Sequence, residues 1–425
     1  MEGNTVCMDQ GNERGGVGEV RQIIKRFLEP RLKRGSTLLL GLSGGADSTA
    51  LLHLLLDMQQ SLSFSLHLAH VDHGWRSESQ KEAAALREQA KQLGLPFHLK
   101  RLEKMEGKDL ENRAREGRYA FFSELQKKEG FQALLLAHHR NDQAETVFKR
   151  AAEGSGIAGL GGIYPEKRRG NLLIWRPLLS LSKHTLLTYL SQKRVSFFTD
   201  RTNEDSLYLR SRMRQQLFPT IEEIFGKKIE KNFARLGTLF QDLSLYFEEK
   251  SVQIQKSLTR GPFGTYLNLT SHFHVVELKY FFQRMTSISD AAVNTLLRLI
   301  SKQEGSHLIQ SRPYVFELSR FYLFMYRPPF PDFFQAPEQW IVKDQGEGDW
   351  NDFWQGKIKV PAGNYTMKRT SELNAKARKR LKNWYLAHGV PSFFYEKGPV
   401  FIKEGEIIGE TLTGKSWPSL SQGKN

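Results

Sequence analysis

Thr37-Leu38-Leu39-Leu40-Gly41-Leu42-Ser43-Gly44-Gly45-Ala46-Asp47-Ser48 is the stretch on which the fold turns. A short apolar run ends in glycines, and Asp47–Met58 follows with Leu51, Leu52, Leu55 and Leu56 at helical spacing. A buried strand that passes through paired glycines into a helix makes a place for an anion. Tandem glycines let backbone N–H groups crowd around it, and the helix start adds partial positive charge. Ser43 and Ser48 contribute hydroxyls, and Asp47 supplies an acid. No lysine follows the glycines, so a Walker-type phosphate loop fails at its defining residue. The plainer reading is a glycine turn with Asp47 or Ser48 as helix cap. The coincidence of strand, glycine pair, acid and hydroxyls favours the anion cradle.

Working outward, strand-like and helix-like segments alternate. Leu66–Val71 reads as a strand, Ser79–Leu93 as a helix, His98–Leu102 as a strand, Leu110–Glu129 as a helix and Ala133–His138 as a strand. These lengths predict an α/β domain over residues 20–218, a parallel sheet with helices on both faces. Residues 1–19 read as a flexible, glycine-rich leader. After Pro219 the pattern becomes helical: Ile221–Lys256 sets Ile224, Phe233, Leu236, Leu239, Phe240 and Leu243 on one apolar face, and Leu278–Thr286 and Ala291–Lys302 follow. Residues 219–326 are therefore expected to form a small helical domain. The proline-rich Arg327–Pro337 reads as a linker. Beyond it, residues 338–425 carry short runs at Gln339–Lys343, Lys357–Val360 and Val400–Ile402, with a basic helical stretch at Ser371–His388. That pattern predicts a small α+β domain.

Composition bounds the partners. The 425 residues include 62 Lys and Arg against 46 Asp and Glu, a formal charge of +16. Such an excess attracts polyanions, whether RNA, DNA or an anionic surface. Apolar runs such as Leu38–Leu42 are too short to span a bilayer. The single cysteine, Cys7, excludes an intrachain disulfide and any cysteine cluster for zinc or iron–sulfur. With no apolar segment in the leader to act as a secretory signal, a cytoplasmic location is the default expectation.

Ser43-Gly44-Gly45-Ala46-Asp47-Ser48 resembles the loop of the N-type (PP-loop) ATP pyrophosphatases, which split ATP between its α- and β-phosphates. Later segments narrow the likeness: His70-Val71-Asp72-His73-Gly74-Trp75-Arg76, Asn112-Arg113-Ala114-Arg115, His138-His139-Arg140-Asn141-Asp142-Gln143-Ala144-Glu145, Gly154-Ser155-Gly156, Arg176-Pro177-Leu178-Leu179 and Asp200–Arg214. With Lys368-Arg369 and Gly389-Val390-Pro391, these are similar to the tRNA(Ile)-lysidine synthase family. The resemblance implies a ligase that uses ATP and Mg2+, acts on an isoleucine tRNA with a CAU anticodon, and works as a monomer or homodimer. ATP would adenylate the wobble cytidine at C2, releasing pyrophosphate; the ε-amine of free L-lysine would then displace AMP.

On this resemblance, Ser43, Gly44, Gly45, Ala46, Asp47, Ser48 and His70 would hold ATP, with Asp47 and Asp142 as magnesium ligands. A lysine ammonium needs carboxylates to bind it and must lose a proton before it attacks. Asp142 and Glu145, three apart, share one helix face and suit that contact. His139 joins Asp47, Asp142 and Glu145 as a candidate catalytic residue; structural roles for His138, His139, His70 and His73 compete with catalytic ones. Asn141 stands where the family pattern has an acid, and a neutral amide brings no charge there.

The basic segments are candidate tRNA contacts. Arg113, Arg210, Arg212 and Arg214 lie in the first domain, and Lys368, Arg369, Arg378, Lys379 and Arg380 fall in a stretch whose one acid is Glu372. Trp384, Tyr385, Phe393, Phe394 and Tyr395 follow, and cations beside rings suit RNA with splayed bases. The competing picture is a solvated helix that turns its rings inward. Other enzymes sharing the loop remain alternatives: a synthetase acting on a small molecule would not need the basic C-terminal domain, and a tRNA thiolase would need reactive cysteines. A catalytically silent RNA-binding protein would not need an intact loop.

Overall fold

Leu38, Leu39 and Leu40 are all buried, so the strand that carries them is covered on both faces. Side chains alternate along a strand, and the core divides accordingly. Leu38 and Leu40 join one apolar cluster with Leu51, Leu55, Leu186 and Tyr189, while Leu39 joins a second with Tyr119, Phe122 and Leu125. Each buried leucine contributes about 1.5–3 kcal/mol relative to exposure. The computed structural model describes residues 16–72, 79–103, 110–198, 209–270, 273–285, 288–302, 307–319, 321–328, 348–357 and 364–415. Cys7, His73-Gly74-Trp75-Arg76, residues 200–208, most of the proline-rich segment, Gln339–Lys343 and residues 358–360 lie outside these.

The chain forms two compact units, Met1–Ser244 and Leu245–Asn425. The first begins α1 (Val17–Leu28), β1 (Thr37–Gly41), α2 (Ala46–Leu62), β2 (Ser65–Asp72), α3 (Ser79–Gln92), β3 (Phe97–Arg101), α4 (Leu110–Glu129) and β4 (Ala133–Leu135). It continues with α5 (Arg140–Ala152), the short α6 (Ile157–Leu160), β5 (Glu166–Arg169), β6 (Leu172–Trp175) and α7 (Lys183–Lys193). Then come α8 (Leu209–Arg212), a π-helical turn (Met213–Leu217), α9 (Phe218–Phe225) and α10 (Glu230–Lys256), which runs across the boundary. The sheet order is β3-β2-β1-β4-β6-β5, parallel except for β5. After β1 the chain adds β2 and β3 on one side, then crosses to β4 on the other. The strand order reverses between β1 and β4, and the crevice beyond the carboxyl ends of two such strands is where open α/β sheets bind ligands.

Sequence and structure differ instructively downstream. The helix expected from Ile221 to Lys256 is broken at Gly226, whose φ of +64° closes α9 with a left-handed residue. Leu236, Leu239 and Leu243, read as core, are exposed; α10 instead buries Gln241 and Ser244. The reason is Gly237, which lets the helix come so close to Gln143 and Val147 that no side chain fits between them.

In the second unit, β7 (Leu258–Gly261), β8 (Gly264–Asn268), α11 (Val275–Met285), α12 (Asp290–Lys302), β9 (His307–Ser311), β10 (Tyr314–Ser319) and β11 (Tyr322–Tyr326) precede α13 (Trp350–Trp354). β12 (Thr366–Lys368), α14 (Ala375–Ala387), β13 (Val400–Lys403) and β14 (Glu406–Glu410) complete it. The helices expected between residues 219 and 326 are accompanied by a five-stranded antiparallel sheet, β7-β8-β11-β10-β9. An aromatic core joins Tyr266 and Phe324 of that sheet, and Phe263 in the turn between β7 and β8, to Trp350, Trp354, Tyr385, Phe393 and Phe394. Because that core is shared, the middle and C-terminal segments form one compact unit rather than the two drawn from the sequence, and the boundary falls inside α10 rather than at residue 219.

Candidate active site

The Ser43–Ser48 loop leaves the carboxyl end of β1 and enters α2. Gly44 has a φ of +84°, and a Cβ there would lie 2.7 Å from Cδ2 of Phe198, so conformation and space both demand glycine. The Oγ of Ser48 accepts backbone N–H groups from Ser43 at 3.2 Å and Gly44 at 3.1 Å, and donates to the Gly45 carbonyl at 3.1 Å. Two loop amides thus converge on one oxygen, as they would on an anion. The cap of α2 is Gly45, which has no side chain to bond the helix N–H groups, while its own N–H is accepted by Oγ of Ser43 at 3.4 Å. Neither Asp47 nor Ser48 caps the helix in that sense, and the N–H groups of its first turn, with Ala46 leading, are left for an external acceptor. His70, buried on β2, holds the loop from behind: its Nδ1 lies 2.8 Å from the Leu42 carbonyl. Since a carbonyl only accepts, Nδ1 is the donor in that bond.

From β4, on the other side of the switch point, come the second set of groups. His139 is the N-cap of α5, and Asp142 in the first helical turn accepts the backbone N–H of His139 at 3.0 Å. The His139 ring is buried between two acids, with Nε2 3.6 Å from Asp47 and 3.5 Å from Asp142. Glu145 follows one turn later and is 2% exposed, deep for a carboxylate. Arg214 reaches both acids from the π-helical turn, bonding Glu145 through Nε and again through Nη2 at 3.0 Å, and Asp142 at 3.1 Å. The basic run Arg210–Arg214 suits phosphate contact by sequence, but the Arg214 guanidinium is engaged by the two carboxylates. Such π-turns recur at functional sites.

These environments separate the two acids. Burial alone would raise the Asp142 carboxyl, but the His139 ring and amide and Arg214 together hold it below the usual range. Burial pushes Glu145 up, even against Arg214. His138 is driven down to about 3, chiefly by burial and also by Arg176, Arg115 and Arg210. It stays neutral, accepting a bond from Nε of Arg176 at 3.3 Å.

Three features went unread in the sequence. Lys183, at the start of α7, places Nζ 2.6 Å from Oδ1 of Asp47 across 136 residues of chain, a pairing no local pattern announces. Asn141 is a junction: its Nδ2 donates to Glu230 at 2.8 Å and its Oδ1 accepts the backbone N–H of Lys183 at 3.0 Å. Arg176, buried, ties His138 to the Tyr164 carbonyl. The Arg176-Pro177-Leu178-Leu179 match was the available signal for that one.

Of the proposed tRNA contacts, Arg113 and Arg212 are exposed and Arg210 is half-buried. In the second unit, Lys368 ends β12, and Arg369 pairs with Glu372 at 4.0 Å. Arg378, Lys379 and Arg380 are exposed on α14, whose Ala377, Leu381, Trp384 and Tyr385 line the face turned to the core. The rings are not the expected stacking surface. Tyr385, Phe393 and Phe394 are buried, and Trp384 stacks on His388, because the small sheet needs large apolar groups to close over it.

Magnesium is commonly held by one or two carboxylates together with substrate phosphates. Among the described residues no group of three or more His, Cys, Asp or Glu could cage an ion, whereas Asp47 and Asp142 flank the same His139 beside the loop. That pair fits the phosphate-shared mode.

Residues 18–221 match the family described as PP-loop domain. The chain is 31% identical over 452 aligned residues to tRNA(Ile)-lysidine synthase of Protochlamydia amoebophila (strain UWE25), covering 98% of this chain and 97% of that one. It is 43% identical over 215 residues to the tRNA(Ile)-lysidine synthase of Chlamydia pneumoniae, covering 50% of this chain and 66% of that one. Among solved structures, the U34-tRNA thiolase NcsA of Methanococcus maripaludis aligns at 18% identity and a TM-score of 0.46, over 53% of this chain and 78% of that chain.

Proposed function

The chain belongs to the tRNA(Ile)-lysidine synthase family, and from that premise we propose the following reaction for it. ATP binds at the Ser43–Ser48 loop, and O2 of the wobble cytidine in an isoleucine tRNA with a CAU anticodon attacks the α-phosphorus. The bond from that phosphorus to the bridging oxygen breaks, and pyrophosphate leaves with the electron pair. The ε-amine of free lysine then attacks C2 of the adenylated cytidine, AMP departs, and the amine gives up its proton to leave lysidine.

The observation that carries this reading is the meeting, at one switch point, of an amide-lined loop with two carboxylates of opposite character. Asp142, held low, stays anionic and suits an incoming ammonium. Glu145, raised by burial, is the more basic carboxylate and is assigned the amine's proton. Arg214 already pairs with both acids, so the substrate cation enters by sharing or displacing that guanidinium. Asp47 and Asp142 would hold Mg2+, which when bound neutralises phosphate charge. His139, whose Nε2 lies within 3.6 Å of an oxygen of each acid, orients them. The exposed cations of α14, with Lys368 and Arg369, suit phosphate contact, and Arg113, Arg210 and Arg212 are assigned to the tRNA in the first unit.

The test is incorporation of labelled lysine, with ATP, into isoleucine tRNA carrying CAU, into bulk tRNA, or with no RNA present. Incorporation confined to the first arm is expected. Pyrophosphate release coupled to a small acceptor without RNA would replace this reading with a small-molecule synthetase.

A further inference from the structure

The phosphate loop lacks the lysine that Walker loops carry. We infer that Lys183 replaces it, delivering from the start of α7 an ammonium that binds the β- and γ-phosphates of ATP and follows them as pyrophosphate leaves. The inference rests on ATP use at the Ser43–Ser48 loop and goes beyond it by naming the cation.

The geometry is specific. Nζ of Lys183 lies 2.6 Å from Oδ1 of Asp47, the second residue of α2, at the mouth of the loop whose amides converge on one oxygen. A carboxylate at that position would repel a polyphosphate unless a cation stood beside it. An ammonium has three N–H groups; Asp47 takes one, which leaves donors for phosphate oxygens. The side chain is 37% exposed, open enough for a ligand to reach the ammonium.

Its base is held while its tip reaches out to Asp47. Ser182 caps α7 by accepting the amide of Thr185 at 3.1 Å. The Lys183 amide is bound by Oδ1 of Asn141, and the backbone N–H of Arg140 bonds the Leu181 carbonyl at 2.8 Å. The start of α7 is therefore clamped to the start of α5, the helix that carries Asp142 and Glu145. Asn141 is thus a positioning residue: it fixes where the lysine leaves the backbone, and the flexible stem does the rest. The cation acts on charge that develops on the leaving group, where preorganised donors contribute most.

The test compares Lys183→Met, which keeps the stem and loses the charge, with Lys183→Arg. Steady-state pyrophosphate release is measured over a range of ATP at saturating tRNA and lysine, and binding of inorganic pyrophosphate to the full-length protein is measured by calorimetry. In Lys183→Met, kcat/KM for ATP should fall about 100-fold, as when one transition-state donor is removed. Pyrophosphate should bind about tenfold more weakly, tRNA affinity should hold within about twofold, and Lys183→Arg should recover most of both losses. Unchanged pyrophosphate affinity in Lys183→Met overturns the inference. So does a loss spread equally over ATP, tRNA and lysine that arginine does not rescue, because that is the mark of a purely structural pair. A wild-type protein that binds pyrophosphate through Lys183 yet releases none with tRNA would sink the proposed reaction and leave the assignment of the cation standing.

Discussion

Asn141→Asp supplies the acid that the family resemblance leads one to expect at this position, and the structure says it should damage this protein. The Asn141 amide is used at both ends, donating to Glu230 at 2.8 Å and accepting from the Lys183 backbone at 3.0 Å. Aspartate keeps the acceptor, loses the donor and sets a second carboxylate against Glu230. A hydrogen bond to a charged acceptor contributes about 1.5–3 kcal/mol. Like charges at that 2.8 Å spacing repel by about 1.5 kcal/mol even at the dielectric constant of water. Both side chains are half-buried and can turn apart, so a net loss of about 2–3 kcal/mol is expected at the junction of α5, α7 and α10. Amide hydrogen exchange over residues 140–152 and 183–193 reads the opening free energy of that junction directly. Glu230→Gln in the Asn141→Asp background should recover about 1–2 kcal/mol, since an amide donor then meets the new carboxylate. Protection equal to wild type in Asn141→Asp, or strictly additive losses in the double variant, would refute the reasoning.

Gly44→Ala should cost about 1–2 kcal/mol for its left-handed backbone, and more from its 2.7 Å approach to Phe198. A lowered Tm and a raised KM for ATP would appear together; an unshifted Tm would disprove the steric account. Neutralising Arg378, Lys379 and Arg380 should weaken tRNA binding and reduce the slope of log affinity against log salt by about 2, if each meets a phosphate. A slope that stays put removes them from the interface. His138 has its pKa depressed to about 3, so the unfolded chain binds its proton first as pH falls below about 6.5. Stability is therefore full above that pH and falls by up to about 1.4 kcal/mol per unit on acidification toward the folded value. His138→Gln, which keeps an acceptor for Arg176, should flatten Tm against pH over this window, and a profile as steep as wild type would count against a neutral, buried His138.

Much of the catalytic unit was legible because local rules and tertiary context agree there. β1 reads as a buried strand since all its leucines face apolar layers, and Gly44 announces a conformation that side chains rarely adopt. Asp142 and Glu145 share a helix face by spacing alone, and the structure keeps them so. Local patterns misled where a helix bends or buries polar groups. Gly226 looks like one more residue in an amphipathic run, and Gly237 makes a polar face of α10 the buried one. In the second unit the same basic, aromatic stretch that suggests RNA stacking turns out to supply a core, since composition cannot say which way a ring points.

By itself the sequence determined the phosphate loop, the order of strands and helices before it reverses, and the acids that follow β4. Each is a short-range property, set by periodicity, glycine conformation or spacing on one helix. Only the tertiary structure decided that Lys183 stands on Asp47, that Arg214 sits on Asp142 and Glu145, and that the Asn141 amide donates to Glu230. Those pairings join residues from 69 to 136 positions apart. They exist because the crossover from β3 to β4 brings two helix N-termini to one crevice, and charge balance there is a matter of distance in space, on which sequence separation is silent.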